Sequence, residues 1–284
     1  MNIPFLLLSA FLSAVPIIFW LMVLARKHRS NMVFFFGLNF VMAMGFSALF
    51  QYKLENILSF WIQGDQPNGI MIFLSFMAMG VIIEYGKNFI VRLTGGKYFH
   101  TIDDVMDLSF ATALGFMFYR NTFHFYLLFS GGFPEIVGPV KIFKDMLENI
   151  FFILPVHLFC SGIFGYFYGL SLFAKEELKE DHRNRFKRYK VFAFKTMKIM
   201  EGSFISVVFY GIFFSVLKFD PTFGDVIQWL GMDRNILFGI DEKLMPLISF
   251  FYFSVGTLFL FQLMDQKRDF SRKKLLVDNS KSKK

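Results

Sequence analysis

Apolar residues along this chain gather into seven long runs separated by charged or turn-rich segments. The runs lie near residues 3–25, 32–52, 68–92, 104–129, 147–174, 198–217 and 245–264. Each reaches the roughly 17–25 residues that an α-helix needs to cross the hydrocarbon core of a bilayer. A segment in lipid has no water to satisfy its backbone N–H and C=O groups, so such runs are predicted to be helical. The pattern therefore predicts an all-α, polytopic membrane helix bundle of about seven transmembrane helices.

Composition agrees. The chain has 284 residues, 55% of them hydrophobic, more apolar surface than a soluble domain can cover. Phenylalanine is abundant, with 44 residues, but its spacing forms no cofactor box and reads as lipid-facing filler.

Charge adds orientation. The formal net charge is +8, and 22 of the 30 Lys and Arg residues fall in segments 26–29, 92–97, 175–198 and 265–284. Cytoplasmic loops carry the excess of Lys and Arg, so this asymmetry places the N-terminus outside and the C-terminus in the cytoplasm. Seven spans alternate between the two sides without conflict. The basic surplus is thus a topology signal with an affinity for anionic lipid, and no nucleic-acid-binding module accompanies it. The first run lacks a basic leading region and a small-residue cleavage site, and reads as a retained signal anchor. The one cysteine, Cys160, excludes an intrachain disulfide and a zinc–thiolate cluster.

The organisation expected is one transmembrane domain over residues 1–264 and a basic cytoplasmic tail over 265–284. The segment Lys175 to Lys190 is a charged connector whose Glu and Lys spacing allows helical i,i+4 pairs. The segment Phe219 to Lys243 holds five acids, but their spacing fits no calcium loop.

The chemistry-bearing residues stand out against the apolar background. Glu84 and Lys87 lie inside the third run. A charge at the bilayer centre costs at least about 2.5–3.5 kcal/mol on insertion scales, so such residues turn toward the protein interior. Gly80, Glu84 and Lys87 share one helical face, and Glu84 can pair with Lys87. In the fourth run Asp104, Asp107, Ala111 and Gly115 share a face, and the two acids also suit the N-terminal end of that helix. In the fifth, His157, Ser161, Gly165 and Gly169 follow at four-residue steps. The three small residues form a row that lets helices approach closely, and His157 heads it. Each group has a structural explanation: an ion pair, a helix cap, a packed histidine. Together, a carboxylate and an imidazole at membrane depth are what water activation requires.

The order and spacing of these residues resemble the PrsW family of membrane-embedded proteases, relatives of the CAAX prenyl proteases. That family carries E-E-x-x-K in one span, an Asp-containing segment leading into G-L-G-F-A-x-x-E-N in the next, and a later span that begins H-A-L-F and continues to G-Y-x-x-G. Here the first reads Ile83-Glu84-Tyr85-Gly86-Lys87. The second runs from Asp104 through Ala113-Leu114-Gly115-Phe116 to Arg120-Asn121. The third reads His157-Leu158-Phe159-Cys160 and continues to Gly165-Tyr166-Phe167-Tyr168-Gly169. The resemblance covers about residues 70–175. Two positions depart from it: Ile83 stands where the family has its leading Glu, and Arg120 where it has the Glu of the E-N pair. The first cannot take a proton, and the second reverses the charge.

The resemblance implies an integral peptidase of the bacterial inner membrane that cleaves membrane-anchored proteins. Glu84, His157 and Asn121 would be catalytic, and Lys87, Asp104 and Arg120 supporting. A divalent metal such as zinc is left open, with Glu84 and His157 as its ligands, although zinc usually takes three protein ligands. The two departures give an alternative, a catalytically silent relative that binds a membrane helix or partner. A third reading is a small-solute or ion pathway lined by Glu84, Lys87, Arg120 and His157. It lacks the discontinuous helices and inverted repeats common in transporters. Glu84, Asn121 and His157 are expected in one cavity between the third, fourth and fifth spans, with Arg120 meeting an acid or the outer interface.

Overall fold

Six α-helices account for almost all of the chain that the structure describes, and no strand occurs among those residues. A computed structural model describes residues 2–25, 30–50, 69–95, 99, 101–131, 142–143, 146–147, 149–173 and 185–218. All fall within one unit, Met1–Asp241. The helices are α1 (Ile3–Ala25), α2 (Ser30–Phe50), α3 (Gly69–Gly95), α4 (Ile102–Ser130), α5 (Leu154–Leu172) and α6 (Arg185–Lys218). Four of them, α1, α2, α3 and α6, are long and apolar enough to cross a membrane. The seventh run, 245–264, the basic tail and the acidic segment after 218 lie outside the described residues, as does the boundary expected at 264.

Side-chain contacts fix the helix directions. Phe5 near the start of α1 meets Phe129 near the end of α4, with ring centroids 6.3 Å apart. Phe36 of α2 shares a core cluster with Val105 and Leu108 early in α4, and Phe50 at the end of α2 meets Phe116 further along α4 at 6.1 Å, so those two helices run parallel. Between α3 and α6, Phe76 stacks on Phe214 at 5.8 Å. Between α5 and α6, Cys160 and Ser206 bond reciprocally, Ser206 Oγ donating to the Cys160 carbonyl at 2.9 Å. Successive helices therefore alternate in direction, and α4 packs against α1, α2, α3 and α5.

The ends of α4 show why the sequence folds as it does. Thr101 caps the N-terminus. Its hydroxyl accepts from the Asp104 N–H at 3.2 Å, and the Asp104 carboxylate accepts from the Thr101 N–H at 2.8 Å. This reciprocal capping box satisfies two backbone donors that a helix start leaves orphaned. Gly131 closes the other end in the left-handed region, at φ 77°, and its N–H bonds the Leu127 and Leu128 carbonyls. Such a φ suits a residue with no Cβ.

Helix α5 begins later than its apolar run. Residues Asn149–Ile153 form a π-helical turn, and the α-helix starts at Leu154, one residue before Pro155. Proline has no N–H to donate into the preceding turn, so the hydrogen-bond register widens there. At the other extreme, α6 has 34 residues and begins at Arg185, within the segment read as a connector. At 1.5 Å per residue it is about 50 Å long, more than the bilayer core requires.

Polar side chains tie the interior together. Asn39 of α2 donates to Thr94 of α3 at 2.6 Å, and its carbonyl accepts from Thr112 of α4 at 3.1 Å. Gly115 of α4 lies against the backbone of Phe40, where a Cβ would collide with it. That contact needs glycine.

Candidate functional site

Glu84 and Lys87 project from α3 into the bundle, 1% and 2% exposed. They are one turn apart and form an ion pair, Lys87 Nζ to Glu84 Oε1, at 2.6 Å. Ser161 of α5 completes a triangle. Its hydroxyl accepts from Lys87 Nζ at 2.6 Å and donates to Glu84 Oε2 at 3.1 Å. A buried ion pair offsets its desolvation only when further hydrogen bonds satisfy the remaining lone pairs. Ser161 supplies one to each partner, and Glu84 Oε1 keeps the ion pair but no hydrogen bond among the described residues.

A cavity opens beside this triangle. It measures about 10 Å³ by the space open to the centre of a water, and it is lined by Glu84, Lys87, Asn88, Val91, Ser109, Ser161 and Phe164. A volume of about 10–15 Å³ on this measure is what one water needs, together with two to four polar partners. Asn88 is 4% exposed, and its Nδ2 has no hydrogen-bond partner among the described residues.

His157 lies elsewhere in the interior. It precedes Ser161 by four residues on α5, a step of about 6 Å along the axis, and it is not part of the cavity lining. Its Nε2 faces a guanidinium nitrogen of Arg120 on α4 at 3.3 Å. A guanidinium only donates, so Nε2 accepts and the imidazole is neutral with its proton on Nδ1. That Nδ1 is buried with no partner among the described residues. The rings of Phe116, Tyr210 and Phe214 surround the imidazole at centroid distances of 5.4, 5.4 and 6.0 Å. Phe116 links the two clusters, for Lys87 Nζ also lies 5.7 Å from its ring.

The remaining expected site residues separate from this centre. Asp104 serves the capping box at the start of α4 and does not line the cavity. Asn121 is fully buried on α4, outside the cavity lining, and neither amide atom has a hydrogen-bond partner among the described residues. Glu84, Asn121 and His157 are thus all interior, but only Glu84 borders the cavity. Arg120 is half-buried. Its partners among the described residues are His157 and the Phe214 ring, 5.5 Å away; of the two expected partners, an acid or the outer interface, no acid is among them. The reason is the register of α4 against α5, which sets Arg120 level with the imidazole.

The donor arrangement does not suit a divalent metal held by Glu84 and His157. An ammonium occupies Glu84 Oε1, and a guanidinium occupies His157 Nε2. Zinc sites take several convergent anionic or neutral donors, and no group of three His, Cys, Asp or Glu side chains occurs among the described residues.

Ser161, Asn88 and Ser109 join the site without standing out in the sequence. Asn88 carried a signal, since it lies four residues after Glu84 and so on the same helical face. Ser161 stands in the sequence as a small residue in a packing row. No family model, curated protein or solved structure matches the chain.

Proposed function

We propose that this chain is a PrsW-like integral membrane peptidase that hydrolyses membrane-anchored proteins by activating water at Glu84. In this reading it crosses the bilayer seven times, with the N-terminus outside and the C-terminus in the cytoplasm. It sits in a bacterial cytoplasmic membrane and takes substrates from the surrounding lipid. The observation that carries the reading is a carboxylate inside an apolar bundle, bordering a cavity the size of one water. A carboxylate within reach of a confined water is the arrangement for general-base catalysis. Lys87 and Ser161 orient Glu84. His157 and Asn121 are buried outside the cavity lining, and once the bundle opens they would present an Nδ1–H and an amide as donors for the substrate carbonyl. A cavity of this size admits water and not a peptide, so cleavage requires the bundle to open.

A second reading, a catalytically silent relative that binds a membrane helix, has its own support. Ile83 is buried and apolar, at 2% exposure, where the resembled family carries its leading Glu.

Reconstitution with a membrane-anchored substrate separates the two. Cleavage by the wild type that is lost in Glu84→Gln and His157→Ala supports the peptidase. An inert wild type, with activity gained in the Ile83→Glu, Arg120→Glu double variant, supports the silent relative. Ion flux in the same liposomes would support a pathway instead.

A further inference from the structure

We propose that the cavity beside Glu84 is a site for one water molecule, anchored by the side-chain amide of Asn88, and that this is the water Glu84 activates. The second half rests on the peptidase reading. The first half stands on geometry alone.

Two independent observations meet at this place. The cavity has the volume of one water, about 10 Å³ open to its centre, and five of its seven lining residues carry polar side chains. Asn88 is among its lining residues, 4% exposed, with an Nδ2 that no group among the described residues satisfies. A buried donor left unmade costs about 1–3 kcal/mol, so an arrangement of this kind persists when a ligand completes it. Lys87 Nζ bonds Ser161, and Glu84 Oε2 accepts from Ser161, while Glu84 Oε1 has the ion pair with Lys87 but no hydrogen bond among the described residues. Ser109, another lining residue, donates to the Val105 carbonyl at 2.8 Å, which leaves its oxygen able to accept. Asn88 is therefore the free donor, Ser109 a free acceptor, and the carboxylate lies alongside. A larger ligand does not fit, and a cation would meet the Lys87 ammonium.

The same geometry gives Asn88 a positioning role. Glu84 and Asn88 are one turn apart on α3, so a water donating to Glu84 and accepting from Asn88 Nδ2 has its lone pairs oriented by both. In the hydrolytic step Glu84 takes one proton from this water. The oxygen bonds to the substrate carbonyl carbon, whose π electrons move to the carbonyl oxygen. Collapse of that intermediate breaks the C–N bond, and the proton held by Glu84 passes to the leaving amine.

Solid-state NMR with water-edited transfer tests the site on the full chain in liposomes, labelled with 15N-asparagine. Water itself is the probe. The Asn88 side-chain signal is identified by its loss in Asn88→Leu. In the wild type it receives magnetisation from water as the exposed Asn2 does. Val91→Leu fills the cavity and leaves the amide in place, so the Asn88 signal persists and its transfer falls several-fold. A wild-type Asn88 amide that receives nothing, or a transfer unchanged in Val91→Leu, overturns the site.

Kinetics test the second half. Asn88→Leu and Val91→Leu each lower kcat about 100-fold, as a misplaced reacting group does, with KM unchanged, and Asn88→Gln restores part of the loss. Unchanged kcat in both variants overturns the assignment of this water while the peptidase reading stands. A wild type without hydrolysis overturns that assignment together with the reading, and the NMR result still decides the site.

Discussion

Lys87 Nζ reaches Ser161 Oγ at 2.6 Å, a hydrogen bond between α3 and α5 that closes the triangle around Glu84. The ammonium is almost wholly removed from solvent, and so is the carboxylate it neutralises. The stability of each charge therefore depends on the other.

Removing one partner strands the other. Lys87→Met leaves a buried carboxylate with only the Ser161 hydroxyl, at a cost of about 3–5 kcal/mol. The double variant Glu84→Gln, Lys87→Met strands no charge and recovers most of that loss. Equilibrium unfolding in detergent micelles measures both. A single variant that loses under about 1 kcal/mol would place the pair in the class of exposed, weakly coupled ion pairs.

The Arg120–His157 contact predicts a tautomer. The imidazole is neutral, with the proton on Nδ1 and the lone pair on Nε2 facing the guanidinium. Nitrogen-15 spectra of histidine-labelled protein, assigned through His157→Asn, should show one protonated and one bare nitrogen in that order. Arg120→Leu removes the donor and with it the preference. A wild-type ring protonated on Nε2 would contradict the contact.

Asn39 joins three helices, and its replacement has a bounded effect. Thr94 and Thr112 each also donate to a carbonyl of their own helix, at 2.9 and 2.8 Å. Asn39→Leu therefore strands no hydroxyl hydrogen and costs about 1–2 kcal/mol, the scale of one interhelical hydrogen bond in a membrane bundle. Thermal unfolding measures it, and a loss of 4 kcal/mol or more, far above that approximate scale, would show that Asn39 does more than bridge.

These relationships differ in how far the sequence announced them. Helices α1, α2 and α3 stand out because lipid-length apolar runs leave the backbone no other partner. Their observed bounds, Ile3–Ala25, Ser30–Phe50 and Gly69–Gly95, fall within three residues of the runs. Apolar length marks depth in the bilayer, however, and not where a helix ends. So α6 continues to Arg185 through basic residues that propagate a helix without contributing hydropathy, and Pro155 moves the start of α5. Glu84 and Lys87 were legible because a charge in an apolar run is costly wherever it points. Ser161, Asn88 and Ser109 were not, because Ser and Asn are ordinary in helices. Their partners depend on the relative register of α3, α4 and α5, which no single periodicity encodes. The same register explains why His157 faces Arg120 and not Glu84.

That register is itself testable at Gly165. A Cβ there would press on the Ser109 side chain and come within 3.2 Å of the Met106 Cα. Both belong to α4, so Gly165→Ala forces α4 and α5 apart or twists Ser109 from its bond to the Val105 carbonyl. Overpacking of this kind costs about 1–3 kcal/mol. Ser109→Ala in the same chain removes the nearest atom but keeps a Cβ 2.8 Å from the new methyl, so it recovers only part of the loss. Ser109→Gly removes both side-chain contacts and leaves the milder one with Met106. Its own helix penalty of about 1 kcal/mol sets the limit of its rescue. The expected order of stability in thermal unfolding is wild type, then the Gly double variant, then the Ala double variant, then Gly165→Ala alone. If Gly165→Ala is as stable as the wild type, α4 and α5 do not approach at this point, and the alignment that brings Ser161 to Glu84 falls with it.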